Sequence, residues 1–145
     1  KTLPQLKKKY IDTGKVQLEF IDYPLDRLAV IAATLARSIP TKDGYIEAVS
    51  ILLKKQKQWA YSKNPLDELQ SIAKLFGISS KKFNDISQNI PLMQEIVTKM
   101  EKESKNFDIN STPTFIVNDK YKISGALSFK DFEKELLKSI NAKKS

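Results

Sequence analysis

The chemistry open to this chain is bounded first by two absences. Its 145 residues include no cysteine and no histidine. That excludes disulfides, thiol nucleophiles, the usual zinc ligand sets and every arrangement in which His activates Ser or Cys. The sulfur it does carry, in Met93 and Met100, is thioether sulfur. The stretch whose residue types and spacing point to a site is Ile109-Asn110-Ser111-Thr112-Pro113-Thr114-Phe115-Ile116-Val117. Here a proline stands between two threonines at the doorstep of an apolar, β-branched run. X-Pro bonds are cis in only about 5% of cases, so the residue types alone predict a trans Thr112–Pro113 bond. Other polar and aromatic residues read as structural. Asp22 and Asp26 suit a turn or a helix N-terminus rather than acid–base work. Trp59 and Tyr61 suit packing rather than ligand binding. Glu101 and Glu103 belong to a solvated helix face.

Charge narrows the partners. The net charge of +8 lies at the two ends. Residues 1–15 carry five Lys and one Asp, and residues 120–145 carry seven Lys and three acids, while residues 16–119 are balanced. Only Arg27 and Arg37 are arginines, the side chain suited to bidentate phosphate and base contacts. Terminal lysines of this kind keep a surface solvated, so no nucleic-acid partner is expected; a basic nucleic-acid binder is the weakest of the readings weighed. No apolar run approaches the roughly 20 residues of a membrane helix. With 41% apolar and 29% charged residues, the composition is that of a globular domain.

The elements that must position the Thr-Pro-Thr stretch follow from periodicity. Leu3, Leu6 and Tyr10 predict a helix over 2–13 that Gly14 stops. It has no convincing N-terminal cap, as though the chain began inside an element. Val16, Leu18 and Phe20 alternate with Gln17 and Glu19 and predict a strand over 16–21, ended by Tyr23-Pro24. Residues 25–37 predict a helix with Leu28, Ile31, Ala32 and Leu35 inward. Thr41 caps a helix carrying Ile46, Val49, Leu52 and Leu53. Asn64-Pro65 is a cap followed by a first-turn proline, and Gly77 ends that helix. Ser79 caps a short helix through Phe83 and Ile86. Pro91 opens another with Leu92, Ile96, Val97 and Met100 inward. Thr114–Val117 and a return strand through Tyr121 and Ile123 form a hairpin around Asn118-Asp119. Gly125 breaks the return strand, and Ser128 caps a last helix, with Asp131 at the capping-box position and Phe129, Phe132, Leu136 and Ile140 inward.

The right-hand end, STPTFIVNDKYKISGALSFKDFEKEL, resembles the DsbA family of thiol–disulfide oxidoreductases. The left-hand end, TLPQLKKKYIDTGKVQLEFIDYPLDRLAVIAATLAR, is similar to the stretch that follows that family's redox motif. The resemblance implies an α/β fold, a thioredoxin-like (DsbA-type) sheet interrupted by an all-helical insertion. Residues 1–37 and 106–145 would form the thioredoxin-like part, incomplete at its N-terminus, and residues 38–105 the insertion. It further implies a cis Thr112–Pro113 bond. The N–H and C=O of Thr112 would then face a groove and pair with an extended substrate, and Pro113 would offer an apolar wall to a reactive sulfur. Thr112 and Pro113 would bind substrate rather than do chemistry.

The family's Cys-X-X-Cys pair would fall just upstream of Lys1, so no catalytic residue is expected in this chain. Ser38 stands near the place of a further cysteine found in some relatives. The implied partners are extended or unfolded protein substrates and a redox-recycling membrane protein, in the periplasm or another extracytoplasmic space of a bacterium. No cofactor and no metal is implied. A reading from a different class is a redox-inactive peptide-binding or chaperone-like thioredoxin-fold module. By the resemblance, the strand that precedes the cysteine pair would lie between 16–21 and 114–117. Without it, the bare chain is expected to self-associate or to be marginally folded.

Overall fold

The computed structural model describes residues 2–144, with side chains through residue 142. The chain forms two compact units: Lys1–Ile21 with Lys102–Ser145, and Asp22–Glu101.

In the first unit, α1 (Thr2–Leu6) runs on into a π-helical turn, Lys7–Ile11. Gly14, at φ 76°, lets the chain reverse, and the N–H groups of Lys15 and Val16 both return to the Tyr10 carbonyl, at 2.9 and 3.0 Å. The unit also holds β1 (Thr114–Val117), β2 (Tyr121–Ser124) and α8 (Phe129–Lys144). Leu6, Tyr10, Ile123, Phe132 and Leu136 form its buried core, and Phe115 meets Phe132 edge to face at 4.7 Å. Ser128 caps α8. Its hydroxyl accepts from the Asp131 N–H at 3.2 Å and donates to the Asp131 carboxylate at 2.8 Å.

The strand expected over 16–21 does not form. Among the described residues the sheet has two strands, β1 and β2. The expected sidedness is nevertheless present: Val16, Leu18 and Phe20 are half-buried while Gln17 and Glu19 are exposed. Val16 and Leu18 pack against the core cluster. Alternation fixes which side chains turn inward, but a strand also needs a ladder, and residues 16–21 form none.

The second unit is helical: α2 (Arg27–Arg37), α3 (Lys42–Lys54), α4 (Gln56–Ala60), α5 (Pro65–Lys74), α6 (Ser80–Ile86) and the start of α7 (Ile90–Phe107). α2 packs on α3, α5 and α6, so by packing it groups with the helices that follow it. Leu35 of α2 and Leu69 of α5 are the unit's most buried large side chains. Asp26, Thr41 and Ser79 cap α2, α3 and α6 by accepting from N–H groups three residues on. Pro65 occupies the first turn of α5, but the Asn64 side chain makes no cap bond. Trp59 is buried and donates its indole N–H to the Leu52 carbonyl at 2.9 Å, whereas Tyr61 is exposed.

Asp22 is a clasp rather than an acid–base group. It accepts from Arg37 Nε and from the Tyr45 hydroxyl, each at 2.6 Å, and the Arg37 guanidinium lies 4.0 Å from the Tyr45 ring centre. Burial, and then the bond to Asp22, raise the Tyr45 phenol above its ordinary value.

On α3 the buried face is Tyr45–Ala48–Leu52, and Leu53 is 64% exposed. On α7 only Ile96 is fully buried, and Leu92, Val97 and Met100 are half-buried.

Candidate substrate-binding loop

The Thr-Pro-Thr stretch sits in a loop tied at three points. Upstream, α7 ends at Phe107, and Asp108 takes the left-handed conformation at φ 50°, which an Asp tolerates better than most residues. The Ile109 N–H returns to the Ser104 carbonyl at 2.9 Å. In the middle, the Thr114 hydroxyl donates to the Ser111 carbonyl at 2.7 Å. Downstream, the Gly125 N–H donates to the Pro113 carbonyl at 2.9 Å, and Gly125, at φ 94°, turns the chain toward α8.

The Thr112–Pro113 bond is cis, as the resemblance implies and against the expectation from residue types. Thr112 and Pro113 are both exposed. Among the described residues, neither the N–H nor the C=O of Thr112 has a hydrogen-bond partner.

The hairpin register extends this unpaired backbone. Antiparallel strands alternate bonded and non-bonded pairs. The bond between Gly125 and Pro113 sets the phase: Phe115–Ile123 and Val117–Tyr121 are bonded pairs, while Thr114–Ser124 and Ile116–Lys122 are not. The main-chain groups of Thr114 and Ile116 therefore point away from β2, and no described residue pairs with them. The hairpin turn carries Asn118 and Asp119 at φ 54° and 57°, both left-handed, closed by the Lys120 N–H on the Val117 carbonyl at 3.2 Å.

An open cleft of about 490 Å³ lies in this unit beside Thr2, Gln5 and Ala126–Phe129; Thr112 and Pro113 do not line it. Among the described residues no group of three or more Asp, Glu, His or Cys is placed to hold a metal ion. No helix of the described residues is long and apolar enough to cross a membrane. The site is thus a strip of main-chain donors and acceptors with an apolar ring beside it. Such a strip is chemically able to accept an extended segment as a further strand.

A thioredoxin family model matches residues 1–138. The chain belongs to the thioredoxin family. Within it, this is a DsbA-like thioredoxin-fold protein. It is 30% identical over 115 residues to a Rickettsia typhi protein that carries the name protein-disulfide oxidoreductase, covering 79% of this chain and 43% of that one. It is 25% identical over 117 residues to the thiol:disulfide interchange protein DsbA of Buchnera aphidicola, covering 80% of this chain and 53% of that one. The crystal structure of Wolbachia pipientis alpha-DsbA1 superposes with a TM-score of 0.83 at 27% identity, over 94% of this chain and 74% of the other. The chain spans about two-fifths of the length of the Rickettsia relatives it matches.

The residues that tie the loop down were only partly visible in the sequence. Gly125 stood out as a strand breaker. Asp108 and Lys122 did not, because a left-handed Asp after a helix and a lysine on a strand have no distinctive pattern.

Proposed function

We propose that this chain is the substrate-holding part of a DsbA-type thiol–disulfide oxidoreductase that acts on extracytoplasmic, periplasmic protein substrates. Thr112 holds an extended stretch of substrate through its main-chain N–H and C=O, and Pro113 packs beside it. The observation that carries this reading is the exposed, unpaired backbone of Thr112 continuing into the unpaired outer edge of β1 at Thr114 and Ile116. By the family resemblance the thioredoxin-like part is 1–37 with 106–145 and the helical insertion is 38–105, although α2 packs with the helices that follow it; a membrane partner recycles the redox centre. The sulfur chemistry lies outside these residues, since Met93 and Met100 cannot act as thiolates. In such an enzyme a thiolate attacks a disulfide through a mixed-disulfide intermediate, and the loop sets the substrate's approach.

Amide chemical shifts test the proposal. Reduced, carboxymethylated α-lactalbumin, an unfolded protein with blocked thiols, should perturb the Thr112, Thr114 and Ile116 amides of the 145-residue chain. Perturbation elsewhere with none at 112–116 would remove it. The same chain should be inactive in insulin reduction; turnover by it would contradict the placement of the chemistry.

The absence of cysteine from these residues also supports the second reading, a redox-inactive peptide-binding or chaperone-like module. Both readings require the same binding strip.

A further inference from the structure

The loop 108–113 must hold its shape for the Thr112 backbone to stay presented, and one side chain outside it is placed to do this. Lys122 projects from β2, opposite Ile116 in the hairpin register. Its ammonium donates to the Asp108 carbonyl at 3.0 Å and lies 3.4 Å from the Phe107 carbonyl. These are carbonyls from the end of α7, where a helix leaves its last C=O groups without internal partners and where positive charge is favoured. The contact spans 14 residues of sequence. It fastens the start of the loop to the same hairpin that fastens its end through the Gly125–Pro113 bond.

We infer that Lys122 is a positioning residue for the substrate-binding loop: by capping α7 from β2, it sets the path of residues 108–113 and so the presentation of Thr112. The role is one of geometry. Lys122 hydrogen-bonds neither Thr112 nor Pro113, and it acts through the carbonyls of Phe107 and Asp108. Methionine keeps most of the length of the side chain and removes the donor. Arginine keeps charge and donors, with a planar fork able to serve two carbonyls.

The inference rests on the peptide-binding reading of Thr112, but its first test does not. In the 145-residue chain, Lys122→Met should speed hydrogen exchange at the Ile109 and Gly125 amides by about three- to tenfold, the loss of one solvent-exposed hydrogen bond. Exchange in the core of α8 should stay unchanged, and Lys122→Arg should restore slow exchange. Affinity for carboxymethylated α-lactalbumin should fall by a similar factor in Lys122→Met and recover in Lys122→Arg. Unchanged exchange at Ile109 and Gly125 would overturn the inference. So would a uniform loss of protection through β2 and α8, which marks a merely structural lysine, or an arginine variant as loose as the methionine one. If the loop loosens as expected while the unsubstituted chain fails to bind the probe, the positioning role stands and the peptide-binding reading falls.

Discussion

Glu133 shows how one side chain joins distant parts of the sequence. It sits on α8, accepts a hydrogen bond from the buried Tyr10 hydroxyl and forms an ion pair with Lys9. The Lys9 contact, and then the Tyr10 hydroxyl, hold its carboxyl below the ordinary carboxylate value of 4.5. The Tyr10 phenol is raised in turn, chiefly by the bond to Glu133. A group whose folded pKa is depressed stabilises the fold above its unfolded pKa, and that contribution disappears as pH falls through the folded value. Glu133→Gln should therefore melt below the unsubstituted chain at pH 7. The gap should close as the pH drops below about 4.5, the usual carboxylate range. Thermal melts at pH 7, 5 and 3 check this, and a gap that stays constant across them would show that the carboxylate's charge is not what stabilises the pairing.

At the scale of elements, α3 makes the sharpest prediction. Gly44 sits in its first turn, and its N–H bonds to the capping Thr41 hydroxyl at 3.0 Å. A Cβ there would lie 2.6 Å from Ile39 Cγ2 and 2.7 Å from Thr41 Oγ1. Alanine would gain at most about 1 kcal/mol of helix propensity. Displacing those two side chains, one of them the cap, costs about 1–3 kcal/mol. Gly44→Ala should thus destabilise by about 1 kcal/mol, read from the denaturant midpoint; a gain in stability would show that the helix start yields easily.

The same element shows what a sequence carries and what it leaves open. Thr41, Ser79 and Ser128 were legible as caps, because capping is decided within four residues. The hairpin was legible because Asn118 and Asp119 accept left-handed angles. Which of Leu52 and Leu53 turns inward was not legible, because an apolar run offers two helical faces and only the neighbouring helices choose between them. The strand over 16–21 was misread for a related reason: alternation is local, but a ladder is made with another segment. Thr112 and Pro113 were legible as a candidate site through the family pattern, whereas Lys122 acts across 14 residues and leaves no local trace.

For the whole molecule, the consequence lies in unpaired backbone. The outer edge of β1 offers the main-chain groups of Thr114 and Ile116, and Leu18, in a segment with the side-chain alternation of a strand, has no main-chain partner among the described residues. Exposed strand edges recruit further strands, including those of identical chains. Where apolar side chains rather than water cover such an edge, each unpaired group costs about 1–3 kcal/mol, a large share of the roughly 5–15 kcal/mol that holds a domain together. The 145-residue chain should therefore self-associate at concentrations where compact domains stay monomeric, or melt early. Sedimentation velocity and thermal melting decide it: a monomer with a cooperative melt above about 60 °C, near the top of the usual mesophilic range, would show that these edges carry no such cost. Ile116→Lys places a charge on the edge strand, a device that blocks edge-to-edge pairing. If association runs through β1, this variant should shift the population toward monomer. Association unchanged by the lysine would move the contact away from β1 and leave its outer edge free for the extended substrate proposed to pair there.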